Sequence, residues 1–501
     1  MTADTSTPDA AAGALRGDAA RSDAGLLRAF VVTAGIGWSV LFVVVGLRYG
    51  LQMYADGSIF SYSVSVQDAW AFHWHNISGR LFVYLFTFVP AESYVALTRD
   101  ARGGVFFYGL LFFSAQFLGL IATFAADRSK GRVIFATACL STTCLCPLVF
   151  GFPTEMWMAH ALFWPALAAA HHVRRGIGGL AAVSALLLAL VLSHEGALIF
   201  ALAILFTVLL RGLRDDAFLR AAGAFIVVVA IWAAVKASFP PDDYFASVLP
   251  DAALNLVDVG NLANDLLRLL AGALAGYAIA FLILRRLTPA KAHIYAAAIL
   301  AVALAVYWLW FDRALHTDNR YYLRTALLIG TPALGLLAAV AALAAEGRLK
   351  LWPALRSPPL LARLIAAVTG GAAVRASLGA VVVVMLVHAV ETAKFVAAWM
   401  QYRTAVRTLA MGAASDPALG HPRFVSSARI GADLNRLSWS STTPFLSVLL
   451  APNLAPARLV VDPAEDYFWL SCGMAAANQA ADRAVPVESR RLVRVHACLH
   501  R

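Results

Sequence analysis

The chain has 501 residues, 61% of them hydrophobic and 14% charged, with a mean hydropathy of +0.73. Its apolar residues fall in continuous runs of about 18 to 22, the length that spans a bilayer, which excludes a soluble globular domain and an alternating β-barrel. The net charge of +11 does not point to nucleic acid, because the basic residues sit in short loops between apolar runs and form no free stripe with interleaved aromatics.

In chain order, residues 1–25 are small, polar and Ala-rich, with no apolar stretch ahead of a cleavage site, which predicts a disordered cytoplasmic tail rather than a signal peptide. Residues 26–47 make the first span. The following loop, 48–104, carries Asp56, Asp68, His73, His75 and Arg80 among Trp70, Trp74 and several Tyr and Phe. It includes an apolar piece, 81–97, interrupted by Pro90 and Glu92. Charge decides how that piece lies. If it crosses, the basic turn at Arg128, Lys130 and Arg132 faces outward. If it does not, that turn shares one side with Arg174/Arg175, Arg211/Arg214, Arg285/Arg286/Lys291 and Arg348/Lys350/Arg356/Arg363. The expectation is an interfacial or re-entrant helix on the outer face.

Further spans are expected at 105–125, 133–151, 155–172, 179–193, 196–211, 218–237, 263–284, 293–311, 324–345 and 378–398, so about eleven crossings of the ~20-residue length in a transmembrane domain over 26–400. The N-terminus lies inside in this scheme. Residues 346–376, with Pro353, Pro358 and Pro359, form a basic cytoplasmic linker that can lie along an anionic leaflet. From 401 the composition becomes polar and Pro-rich, with strand-like pieces at 457–462 and 491–496, which predicts a small periplasmic α/β domain over 401–501. On that side Cys472 and Cys498 are a plausible disulfide. Cys139, Cys144 and Cys146 share an apolar span without a second ligand pair and are expected to be buried thiols. The fold expected is an all-α polytopic membrane protein with this C-terminal addition. No Walker A, G-x-G-x-x-G, H-E-x-x-H or G-x-S-x-G motif occurs, which withdraws support from ATP-driven transport, cytosolic nucleotide chemistry and serine hydrolysis.

With this topology four polar groups share the outer face: the loop group Asp56, Asp68, His73, His75 and Arg80; Glu155 and His160; His194 and Glu195; and Asp312, Arg313, His316, Asp318, Asn319, Arg320, Tyr321, Tyr322 and Arg324. Each has a plain structural alternative. Asp56 with Gly57 and Ser58 suits a turn, and His73 and His75 around Trp74 suit headgroup depth. His194 and Glu195 lie between two spans short for crossing and suit a paired polar plug. His388, Glu391 and Lys394 suit an ion-paired helix face. The fourth group is harder to explain structurally, since three arginines on the side where positive charge is disfavoured suggest a bound anion. His73-x-His75 with the loop acids allows a divalent cation, Mg or Mn, without requiring one.

The acid-bearing first outer loop with Asp56 and Asp68, the interfacial helix at 81–97, the polar span ends, the eleven or so spans and the C-terminal periplasmic domain together resemble the GT-C superfamily of membrane glycosyltransferases. The sequence lacks the W-W-D-Y-G signature of the oligosaccharyltransferase branch and has no adjacent pair of loop acids, which leaves the choice of catalytic acid open. The resemblance implies a polyprenyl-phosphate-linked sugar as donor, a glycan or lipid acceptor, a bacterial inner-membrane location and no nucleic-acid partner. A carboxylate then takes the acceptor hydroxyl proton, with Asp56 as first candidate and Asp68 as second. Arg313, Arg320 and Arg324 with His194 or His316 hold the departing phosphate. His73, His75, Trp70, Trp74, Arg80, Glu155, His160, Glu195 and Tyr321 line the sugar or acceptor site. Two alternatives stay open: an O-antigen ligase or polymerase-like enzyme, and a lipid or solute transporter without chemistry.

Overall fold

The computed structural model describes residues 8–69, 80–172, 176–239, 243–349, 371–414, 416, 419 and 423–462. Eight of its helices are long and apolar enough to cross a membrane: Asp23–Tyr49 (the apolar part of α1, Pro8–Tyr49), Leu81–Thr98, Ala101–Ala126, Asp216–Ser238, Asp265–Leu287, Ala292–Phe311, Arg320–Ala345 and Gly371–Met411. Val133–Val149, Ile177–Val191 and Ala197–Leu209 are shorter apolar helical stretches. This is the architecture of a mostly helical, multi-pass membrane protein.

After α1 the chain turns at Gly50, in the left-handed region at φ 65°, and enters α2 (Asp56–Ser65). Leu81–Thr98 (α3) is continuous through Pro90. A wide π turn over Tyr84–Phe88 precedes the proline, which then occupies a helix-start position where a missing N–H costs little. Glu92 does not break α3 either, because its carboxylate accepts the Ala69 N–H at 2.7 Å. By length and composition α3 counts among the helices long and apolar enough to cross a membrane.

Next come α4 (Ala101–Ala126), capped by Asp100 on the Gly103 N–H, and α5 (Val133–Cys144). The turn between them is built on Asp127, whose buried carboxylate accepts the N–H groups of Ser129 and Phe135, both at 2.8 Å. Helix α6 (Glu155–His172) is the central pillar: every residue except Leu162 and His172 is buried, and α4, α7 (Ile177–Val191), α8 (Ala197–Leu209) and α13 (Arg324–Ala345) pack around it. Small residues bring the helices close. A side chain at Gly119 of α4 would meet the Ala161 carbonyl of α6 at 2.5 Å.

On the outside, α9 (Asp216–Ser238), α11 (Asp265–Leu287) and α12 (Ala292–Val306, extended by a π turn to Phe311) expose Ile226, Ile279, Ile283, Ile299, Val302 and Phe311. Such apolar faces suit contact with lipid rather than water. Between α9 and α11 lies α10 (Asp243–Val257).

The last long helix, α14 (Gly371–Met411), continues eleven residues beyond position 400. Beyond it β1 (Phe424–Ser426) pairs in parallel with β2 (Leu459–Val461), the latter inside the strand-like piece expected at 457–462. Helix α15 (Thr443–Leu450) is pinned to β2: Thr443 Oγ1 donates to the Val460 carbonyl at 2.9 Å, and the Val460 N–H reaches Ser447 Oγ at 3.1 Å. This segment packs onto the helices, with α15 on α2 and α14, and Arg102 donating to the Ala451 carbonyl at 3.0 Å. The expected strand at 491–496 and the Cys472–Cys498 pair lie outside the described residues, as do residues 1–7 and most of the 346–376 linker; the rest of the 1–25 tail, expected to be disordered, is instead helical from Pro8 as the start of α1.

Candidate functional site

Two loops and two helix starts meet at one end of α6. The turn that opens α2 presses on the loop before α6, where a side chain at Gly57 would lie 2.2 Å from the Gln52 carbonyl and 2.5 Å from Pro153. The Asp56-Gly57 pair therefore does more than turn the chain: the glycine permits a close approach that brings Asp56 toward Glu155.

Arg80, at the start of α3, binds Glu155 at 2.7 Å through Nη1 and Glu195 at 3.0 Å through Nη2, with Nε at 3.2 Å. Lys236, in the last turn of α9, meets the other oxygen of Glu195 at 2.7 Å. His194 Nδ1 accepts the Gly196 N–H at 2.9 Å, which fixes the ring in the turn between α7 and α8. Arg324 opens α13; its Nε donates to the Tyr321 carbonyl at 3.0 Å, and its guanidinium lies 3.3 Å over the Tyr321 ring.

Asp56 joins this group by field rather than by contact. Burial pushes its carboxyl up to about 7; the nearby Glu155 charge adds to the rise, while Arg324 and Arg80 oppose it. Among the described residues it makes no hydrogen bond and no ion pair. A carboxyl raised toward neutrality within the field of two arginines suits proton exchange near neutral pH.

A second cluster ties the 312–319 loop to α14. Glu391, only 1% exposed, meets His316 Nδ1 at 2.5 Å and accepts the Trp308 indole N–H at 2.8 Å. Asp312 lies 3.5 Å from His316 Nε2 and 2.7 Å from Lys394. Lys394 and Glu391 are 3.8 Å apart, so the expected ion pair on this helix face is present, although His316 is the nearer partner of Glu391. One ligand atom each from Asp312, His316 and Glu391 lies within 4.8 Å of the others, which is compact enough for a divalent cation. The fit is poor, because the Lys394 ammonium already sits 2.7 Å from Asp312 and 3.8 Å from Glu391, where a cation's charge would be placed.

The remaining candidates separate. Arg320 donates to the carbonyls of Pro147 at 2.7 Å, Phe150 at 3.0 Å and Glu391 at 3.4 Å, and stacks on Phe395, so it ties α14 to the end of the α5 segment. His160 lies inside α6, held by Ser141 and Gln116, both at 2.9 Å. Arg313 is exposed and folds back onto the Leu309 carbonyl. Asp68 stands beyond the far end of α2 from Asp56, about 15 Å along the helix axis, beside Tyr62 and Glu92. Trp70, His73, Trp74 and His75 lie outside the described residues. Lys236 was not singled out in the sequence, although a charge closing a fifteen-residue uncharged run (221–235) is itself a signal.

No protein-family model matches the chain, and no curated protein and no solved structure matches it significantly.

Proposed function

We propose that this chain is a membrane glycosyltransferase of GT-C type, moving a sugar from a polyprenyl-phosphate donor to a periplasmic or lipid-linked acceptor. In this reading the Asp56 site faces the periplasm of a bacterial inner membrane. The Asp56 carboxylate takes the proton of the acceptor hydroxyl, whose oxygen bonds the anomeric carbon. The bond from that carbon to the phosphate oxygen breaks, and polyprenyl phosphate leaves with the electron pair. Arg324 and Arg80 favour the charge growing on that oxygen. His194 and Tyr321 border the same space. Arg320, engaged by three carbonyls, has a positioning role, holding the loop that carries Tyr321 and Arg324.

The observation that carries this reading is Asp56 itself, a carboxyl pushed up to about 7 next to two arginines at the end of the helical bundle. No step runs through a metal. The line of charges Lys236–Glu195–Arg80–Glu155 favours a second reading, a transporter that uses buried ion pairs as its moving parts.

The test uses purified protein in lipid nanodiscs with a panel of polyprenyl-phosphate sugars and a crude membrane-glycan acceptor extract. Mass spectrometry follows release of polyprenyl phosphate. Turnover by the wild type that disappears in Asp56→Asn with donor binding retained supports the transferase. Binding and movement of the lipid-linked sugar across the bilayer without release favours transport. No binding of any lipid-linked sugar overturns both the donor class and the mechanism.

A further inference from the structure

Helix α6 starts at the Asp56 site and ends about 27 Å away, close to the ~30 Å thickness of a bilayer core. At that far end lies a cavity of about 510 Å³ that none of the chemistry above uses. It is formed where the α4–α5 turn, the end of α6, the turn from α8 into α9 and the end of α13 converge. Its cations are Arg128, Lys130, Arg211, Arg220 and Arg348, against Asp215, Asp216 and Glu346. Leaving the histidines aside, positive groups outnumber negative ones by two.

Two of these three acids are already committed. Asp215 caps α9 through the Ala217 N–H at 2.9 Å and touches Arg211 Nε at 3.1 Å. Glu346 reaches Arg348 at 3.4 Å. Asp127, beneath the floor, is engaged by two backbone N–H groups. Arg211 is buried and rigidly aimed, its Nη1 donating to the His171 carbonyl at 2.7 Å. His172 lines the cavity with a side chain only 5% exposed. Its buried Nε2 has no hydrogen-bond partner, and the nearest carboxylate, Asp127, is 3.9 Å away. A positive-inside bias accounts for basic residues in these loops, but not for their convergence on a concave site with an unpartnered imidazole nitrogen in its wall.

We propose that this cavity binds a phosphate-bearing anion, carried either by the headgroup of an anionic lipid or by a free phosphate. Its volume falls in the range of small-ligand sites, and basic pockets between membrane helices suit phosphate headgroups. Arg211 supplies a fixed guanidinium and His172 a nitrogen for a phosphate oxygen or hydroxyl. Arg128 and Lys130, exposed at the rim, add charge without a structural duty among the described residues. Leu213 and Leu219 are exposed on neighbouring surface, where acyl chains can run.

The test is made on full-length protein, delipidated in neutral detergent, at constant ionic strength. Thermal melting and native mass spectrometry are recorded with short-chain phosphatidylglycerol, short-chain phosphatidylcholine or inorganic phosphate. The expected result is a saturable rise in melting temperature and one retained molecule with phosphatidylglycerol, and none with phosphatidylcholine. The Arg128→Gln/Lys130→Gln double variant, which changes only exposed side chains, should bind about tenfold more weakly or worse, from ~1 kcal/mol per basic residue near a lipid surface. A response to inorganic phosphate as well identifies the phosphate group as sufficient; a response to phosphatidylglycerol alone identifies the lipid headgroup. No saturable response to either ligand overturns the proposal, and so does a response that the double variant keeps in full.

Discussion

The cluster around Glu391 and the cluster around Arg80 use the same kinds of residue, acids with Arg, Lys and His at helix ends, but they differ in completeness. Around Glu391 each carboxylate meets a cation directly: Asp312 has Lys394 at 2.7 Å and Glu391 has His316 at 2.5 Å, with a Trp308 hydrogen bond besides. Around Arg80 the pairing consumes Glu155, Glu195 and Lys236 and leaves Asp56 outside the contacts, under the influence of a neighbouring carboxylate and two arginines. A closed network mainly joins elements. An open one keeps a titratable group available, which is what proton-transfer chemistry requires.

The largest expected effect separates the two clusters by activity. On the proposed transferase reading, Asp56→Asn should lower the rate of polyprenyl-phosphate release by about 10² to 10⁴-fold, the usual contribution of a general base, whereas Asp312→Asn should change it only a few-fold. Equal losses in both variants would show that the contrast has no catalytic meaning.

Next in size is stability. Arg80→Ala removes the guanidinium that Glu155 and Glu195 share in a partly buried site and should cost about 3 kcal/mol, read as a lower melting temperature. In Arg80→Ala/Glu155→Gln part of that loss should return, because one of the two carboxylates that shared the arginine is gone. A double variant as unstable as the sum of the singles would mean that the two side chains are not coupled.

The pH dependence sharpens the comparison further. With Asp56 as the proposed base, which must be ionised to act, the rate should climb with pH through a midpoint of about 7. Arg324 opposes the rise in the Asp56 value, so Arg324→Gln should move the ascending limb to higher pH. A limb that stays in place would remove Arg324 from the field at Asp56.

The smallest effect belongs to the closed cluster. The hydrogen bond to Glu391 raises the His316 value above its ordinary 6.5, although burial works against it. The stabilisation from this pair is therefore complete below 6.5 and lost as pH rises through the raised value. Melting curves across that window should show a decline of about 1 kcal/mol or less for this partly exposed pair, and His316→Gln should abolish it.

Much of the candidate site was legible in the sequence. Asp56, Arg80, Glu155, His194, Glu195 and Arg324 all stand out as polar residues at the ends of apolar runs, and all come to the same end of α6 or couple to groups there. The roles of others were not legible. Arg313, Arg320 and Arg324 look equivalent within a dozen residues, yet one is exposed, one is held by three carbonyls and one stacks on Tyr321. Asp56 and Asp68 look like alternative bases, yet a helix separates them.

By itself the sequence determined the helical, multi-pass character of the protein, because hydrophobicity adds up along the chain and a run of apolar residues has few other stable outcomes in lipid. It also determined which polar residues would be costly enough to need partners. Only the tertiary structure decided who those partners are. Lys236 meets Glu195 across 41 residues and Glu391 faces His316 across 75, because helix packing, not sequence distance, sets which ends meet. The continuity of α3 through Pro90 was likewise decided by a π turn, a local adjustment that residue-type preferences do not encode.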